Sequence, residues 1–220
     1  MRAFAAITFG LPYSVRLSIF CVLCILVGLI FAFLFLYEPV KHFLYRRFTM
    51  RMYYSTIKKV VLYNDFYLIN DFVNRIGDSE TFHIDHVMIG NKFIYCIRDR
   101  YYDGAIAAKE TDPNWIFYRG KEAKYIANPM MRNKTRVEWM AMMTGFDTHF
   151  FISIVLINDD CLMTPLDNSY SDNFVTSLSM LPKLIDYLES QDIDPLDPQA
   201  MAIAVHDLSE LNLRGKLGKS

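Results

Sequence analysis

The sequence predicts one α/β domain with a central mixed sheet, behind a single N-terminal transmembrane helix. Three observations carry that prediction. Residues 17–37, LSIFCVLCILVGLIFAFLFLY, contain no charge. Residues 150–158, FFISIVLIN, form a continuous apolar run, the pattern of a strand buried on both faces. Two apolar strand candidates, HIDHVMIG (83–90) and FIYCI (93–97), meet across Gly90, Asn91 and Lys92, which is a hairpin signal.

The chain has 220 residues. Removing the anchor leaves about 180, enough for one domain with a real core. Basic and acidic residues number 23 and 24, so overall charge gives no argument for a nucleic-acid partner. The four cysteines, Cys21, Cys24, Cys96 and Cys161, have no spacing that suggests a disulfide framework or a zinc site. That fits a reducing compartment. Cys21 and Cys24 have redox-motif spacing, but they lie inside the apolar run, where that motif lacks its folded context.

The elements follow in order. After a short segment, 1–16, comes the charge-free run at 17–37. About 20 apolar residues span a bilayer core of roughly 30 Å. A signal peptide has a shorter apolar core and a small-residue cleavage site. Here Tyr37, Glu38 and Pro39 follow instead, so an uncleaved single-pass anchor is expected. Only Arg2 and Arg16 precede it, whereas Lys41, Arg46, Arg47, Arg51, Lys58 and Lys59 follow. The positive-inside bias then places the C-terminal domain in the cytoplasm. Residues 38–62 read as a basic juxtamembrane helix. Its charge suits anionic lipid or DNA, and a topology signal on a solvated face is the plainer reading.

Phe66 to Asp71 is extended, and Asn74 to Glu80 reads as a polar loop around Gly77. The hairpin comes next, then a turn at Tyr101–Gly104 and a strand at Asn114–Tyr118. Asn128 suits an N-cap and Pro129 the first helical position, so a helix should run to about Thr144 and stop at Gly145. Beyond the strand at 150–158, residues 162–173 read as a loop and Phe174–Leu178 as a short strand. Ser179 is placed to cap a helix carrying Leu181, Leu184, Ile185 and Leu188, with Pro182 in its first turn. Asp194 to Pro198 breaks the chain, and a last amphipathic helix carries Met201, Val205, Leu208 and Leu211. Residues 213–220 form a short basic tail.

Several pieces in this order resemble the nuclease-related (NERD) domain family. They are Asn70-Asp71, the IDHVMIG strand (84–90), FIYCI, Gly104, Trp115, Asn128-Pro129, the apolar strand at 151–157 and the L-P-x-x-I piece at 181–185. The resemblance covers residues 48–212 and implies a restriction-endonuclease-like, PD-(D/E)XK core. That core uses an acid on one strand and an acid-x-lysine on the next. Neighbouring carboxylates then hold a Mg²⁺ or Mn²⁺ ion, which activates water, and the lysine assists.

The resemblance places Asp85 at the first acid. At the second acid and the lysine stand Arg98 and Arg100. The family's glycine-glutamate expected near 52–60 is not evident, and its N-P-x-x-glutamine ends in Arg132. Departures therefore gather at the catalytic positions. Strand alternation points Asp99 away from Arg98 and Arg100, which leaves no second acid beside Asp85. Glu122-Ala-Lys124 is a literal acid-x-lysine in a polar, solvated stretch. His83 shares the Asp85 face and His86 does not, a poor geometry for a transition metal.

Two readings follow. In the first, Asp85 and Arg98 pair, no metal cofactor is held, and Arg98, Arg100 and Arg132 form a basic pocket on a non-catalytic binding or scaffolding module. Its partners would be the membrane, other membrane proteins and, more weakly, nucleic acid. In the alternative, Asp85 serves a metal-dependent nuclease with a relocated acid, using Mg²⁺ or Mn²⁺. Aromatic residues such as Phe66, Tyr67, Tyr101 and Tyr102 are assigned to no site.

Overall fold

The computed structural model describes residues 12–77, 80–166 and 170–213. Most of the expected 1–16 segment and the 213–220 tail lie outside these residues. Two compact units divide the chain, Met1–Phe48 and Thr49–Ser220. Helix α1 runs over Tyr13–Asn64 and contributes to both. Its stretch Tyr13–Tyr37, with mean hydropathy 3.2, is long and apolar enough to cross a membrane by length and composition.

In the second unit, α1 supplies Tyr53, Ile57, Val60 and Val61, all buried. Their spacing of four, three and one lines a single face of a helix. The helix stops where Asp65 takes the left-handed conformation, at φ 56°. The strands are β1 (Tyr67–Ile76), β2 (Glu80–Ile89), β3 (Ile94–Arg100), β4 (Ala105–Ala107), β5 (Asn114–Arg119), β6 (Glu122–Ala127), β7 (Phe151–Ile157), β8 (Leu162–Met163) and β9 (Asn173–Ser177). The later helices are α2 (Pro129–Thr144), α3 (Leu181–Glu189) and α4 (Pro198–Leu211).

The main sheet has the order β1-β2-β3-β7-β9. Its first three strands are antiparallel, and β3, β7 and β9 run parallel. Tyr53 and Ile57 of α1 pack with Leu181, Ile185 and Leu188 of α3 on one face. Val137, Met140 and Ala141 of α2 pack with Ala204 and Leu208 of α4 on the other. Every residue of β7 is buried, as its apolar pattern requires, and the one polar residue, Ser153, accepts a hydrogen bond from Asn133. Each fully buried side chain of this size contributes about 1.5–3 kcal/mol. Leu213 N–H donates to Val73 O, and Val73 N–H donates to the Asn212 side chain, so these two residues cover the β1 edge at Val73.

A second mixed sheet, β6-β5-β4-β8, was not expected. It packs Trp115, Phe117 and Ile106 against Met130, Val155 and Ile157. Its short strand β4 follows directly on the expected turn at Tyr101–Gly104, and β8 lies within the segment read as a loop. The polar stretch Asn74–Glu80 is also not a loop throughout. Asn74 pairs with Phe82, Arg75 with Thr81 and Ile76 with Glu80, so pairing to an apolar-rich neighbour overrides polar composition. Ser179 does not cap α3. The N-cap position falls on Met180 without a side-chain cap bond, and Ser179 N–H donates to Asp159. Pro182 removes an N–H from the first turn that a cap would engage.

Other signals hold where they were read. Asn128 Oδ1 accepts from the N–H groups of Met130 and Met131 at the start of α2. Gly145 ends that helix at φ 72°.

Candidate functional site

Strands β1 and β2 change phase at one point. Ile84, Val87 and Ile89 all face the α2 side, while Met88 faces the α1 side. Strict alternation forbids that combination, so one step between Ile84 and Val87 is lost. The same happens in β1, where Ile69 and Phe72 face the α2 side. The register brackets both changes: Asn70 pairs with His86, Phe72 pairs with Ile84, and Asp71 stands opposite Asp85 between them. Asp71 takes φ 50°, a conformation aspartate tolerates better than most residues. Matched bulges of this kind re-aim side chains.

The consequence is a polar cleft of about 450 Å³ lined by Met50, Tyr54, Asn70, Asp71, Asp85, His86 and Asp99. Asp85 and His86 are consecutive yet share it. Asp99 enters from β3, on the same side as Tyr95 and Ile97. Asp99 N–H donates to Asp85 Oδ2 at 2.9 Å. A second acid therefore does stand beside Asp85, contrary to the expectation from regular alternation. The bulge is the reason.

Asp85 Oδ1 lies 3.2 Å from Arg98 Nη1, with side-chain exposures of 21% and 15%. Arg98 Nη1 also donates to His83 O at 2.9 Å and contacts His83 Nδ1 at 2.6 Å. Arg98 Nε is buried without a hydrogen-bond partner and takes no part in the contact. His83 lies 3.4 Å from Asp85 and 3.5 Å from Asp71.

His86 Nδ1 lies 2.7 Å from Asn70 Oδ1, and His86 Nε2 lies 3.0 Å from Asp99 Oδ2. The amide oxygen accepts, so Nδ1 carries a proton. His86 Nε2 and Asp99 Oδ2 are thus within hydrogen-bond distance, and Asp99 holds the imidazole from its other side. The Tyr54 ring stacks near the imidazole. Burial raises the Asp99 carboxyl above the usual carboxylate range, outweighing the His86 hydrogen bond. Asp99 Oδ1 is buried and unpartnered.

Arg100 and Arg132 lie within electrostatic reach of Arg98, and Arg136 lies within reach of all three. Burial lowers Arg98, and Arg100 and Arg132 act on it in the same direction. Burial, then Arg98, Arg100 and Arg132, push Arg136 down to about 10. Arg100 Nη1 donates to Asp99 O, and Arg136 Nη1 donates to Arg132 O. Arg136 went unnoticed in the sequence. Its signal was the four-residue step from Arg132, which puts both on one helix face.

Among the described residues, no group of three or more His, Cys, Asp and Glu side chains is placed to hold a metal ion. The donors near Asp85 do not fit Mg²⁺ or Mn²⁺ as they stand. Arg98 takes up one Asp85 oxygen and a backbone amide the other, and His86 engages Asp99. Glu122 and Lys124 lie on the exposed β6 strand of the smaller sheet.

The model of the nuclease-related domain, NERD, matches residues 47–158, just over half of the chain. The chain belongs to the NERD family. The matched part of the NERD domain reaches from the last turns of α1 through β7, so it contains Asp85, Arg98, Arg100, Arg132 and Arg136. The crystal structure of a protein of unknown function is 10% identical, with 76% of this chain and 92% of that chain covered at a TM-score of 0.29, a likeness too slight to bear on the fold. No curated protein matches this chain.

Proposed function

We propose that this NERD domain is a membrane-anchored module that binds phosphate on its nuclease-like face without cutting it. One observation carries the reading: the Arg98 guanidinium lies 3.2 Å from Asp85. A hard divalent ion needs converging oxygen ligands. Here a fixed cation already neutralises the first carboxylate. Arg98, Arg100 and Arg132 then supply anion-binding forks where the family resemblance expects an acid, a lysine and a glutamine. The apolar helix and the basic residues after it support an anchor with the domain in the cytoplasm.

A second reading is favoured by Asp99, which shares the cleft with Asp85. In that reading the acid has moved by one residue and a metal-dependent nuclease survives. The test uses the full chain in non-ionic detergent, with labelled single-stranded and duplex DNA and RNA. Mg²⁺ or Mn²⁺ is added, beside an Asp85→Ala control. The proposed module binds strands without shortening them. Metal-dependent cleavage that disappears in Asp85→Ala would establish the nuclease instead.

A further inference from the structure

Four arginines, at the end of β3 and in the first half of α2, lie within electrostatic reach of one another. Arg98 and Arg100 leave the end of β3 two residues apart, on one side of the strand. Arg132 and Arg136 stand one turn apart on α2. Arg136 lies within electrostatic reach of the other three, and Asp85 is the carboxylate that acts on it in the opposite sense. Asp99 also acts on Arg98 in the opposite sense, with its carboxylate held by His86.

Like charges held together oppose folding unless something offsets them. Two carboxylates, one of them hydrogen-bonded to His86, against four arginines leave an excess of positive charge. The Nε donors of Arg98 and Arg136 are both buried and both lack a hydrogen-bond partner. Buried donors are normally satisfied, and charged ones cost most when they are not. Orphaned donors in the same cationic cluster point to an anion of high charge density.

We infer that the Arg98–Arg100–Arg132–Arg136 corner binds a phosphomonoester dianion, in preference to an internal phosphodiester. The inference rests on the reading of this face as a non-cleaving phosphate binder. A diester group carries one negative charge and two free oxygens. A terminal phosphoryl group carries roughly −1.5 to −2 and presents three acceptor oxygens. Four planar guanidinium forks with an excess of positive charge match the second ligand in both charge and donor number. That chemistry occurs on a strand end and on a small phosphate, and the test separates the two.

The probes are pyrophosphate and two oligonucleotides labelled at the 3′ end, one with a 5′-phosphate and one with a 5′-hydroxyl. The protein is the full chain in non-ionic detergent. Pyrophosphate should raise its melting temperature, and the 5′-phosphorylated strand should bind about tenfold tighter than its hydroxyl twin. Arg136→Gln should abolish both effects while raising the melting temperature without ligand, because a repelling charge is gone. That rise shows the variant to be folded. Arg132→Gln, on an exposed position, should weaken both kinds of binding and leave the unliganded melt near wild type. Pyrophosphate binding with no preference between strands supports the inference and assigns the ligand to a small phosphate. Equal binding of both strands with no response to pyrophosphate overturns it, and leaves the phosphate-binding module standing. Binding of no probe at all overturns both.

Discussion

The Arg98 guanidinium and the Asp85 carboxylate meet at 3.2 Å in a mostly buried setting, at the point where β2 loses its alternation. Removing one partner strands the other. The first prediction is therefore a coupling. Asp85→Ala should cost about 1–3 kcal/mol, the buried-pair penalty discounted for the exposure that remains. Arg98→Met should cost less, because it removes a charge from a repulsive cluster. A double-mutant cycle in urea, followed through the buried Trp115, should give a coupling of about 1 kcal/mol. A coupling near zero would mean that the two groups merely lie close.

The second prediction concerns what Arg98 excludes. Arg98→Glu with Arg100→Lys would place an acid and a lysine where the family resemblance expects them. Asp85 would then lose its fixed cation and gain a second carboxylate nearby. Mn²⁺ titration followed by electron paramagnetic resonance should show binding to the double variant in the millimolar range or tighter. It should vanish when Asp85→Ala is added. Equal Mn²⁺ binding by the unaltered chain would contradict the account given of Arg98.

The third prediction is a pH dependence. Burial raises the folded-state pKa of Asp99. A raised carboxylate stabilises the fold fully below its ordinary value, about 3.9, and that contribution is lost as pH climbs through the folded value. Asp99→Asn does not titrate. Its stability relative to wild type should therefore improve as pH rises across that window. Thermal melts of both proteins at a series of pH values would show the difference. A gap that stays constant or shrinks in the other direction would remove the buried-charge explanation.

How far the sequence foretold these features depends on the kind of signal. The long apolar stretch of α1, the both-faces-buried β7 and the caps Asn128 and Gly145 are local statements, and composition or stereochemistry decides them. The second sheet was missed because β4 and β8 are two to three residues long and exist only by pairing with partners distant in sequence. The arrangement of Asp85 and Asp99 was misjudged because regular alternation was carried through the bulge. The signal was present. Phe82, Ile84, Val87 and Ile89 step by two, three and two, and the odd step marks the lost phase. Asp71, a residue type that accepts positive φ, lies directly opposite.

That bulge gives the fourth prediction. Asp71 holds φ 50°. Asp71→Asn should change stability little, since asparagine accepts the same conformation. Asp71→Val should cost about 1–3 kcal/mol, because a β-branched residue does not. The strain should also shift the phase of β1, so Asp71→Val should weaken strand binding where Asp71→Asn does not. Chemical denaturation measures the first effect and strand anisotropy the second. Equal behaviour of both variants would show that the left-handed conformation is unimportant.

The last prediction separates two roles of Asn128. This side chain is 1% exposed. Its oxygen caps α2 through Met130 and Met131, and its nitrogen donates to Glu110 O at 2.9 Å and Asp112 O at 2.8 Å. It therefore ties the helix that carries Arg132 and Arg136 to the loop before β5. Asn128→Asp keeps the cap and loses both donations, placing carboxylate oxygens against two carbonyls. Asn128→Ser keeps a cap with a shorter reach. Asn128→Ala loses everything and should cost about 2–4 kcal/mol, a cap plus two buried hydrogen bonds. If the cap dominates, Asp should resemble wild type and Ala should be far worse. If the loop tie dominates, Asp should be as damaging as Ala, because buried oxygens then face one another. The two carbonyl contacts and the near-total burial favour the second order, so Asn128→Asp should fall within about 1 kcal/mol of Asn128→Ala in urea denaturation.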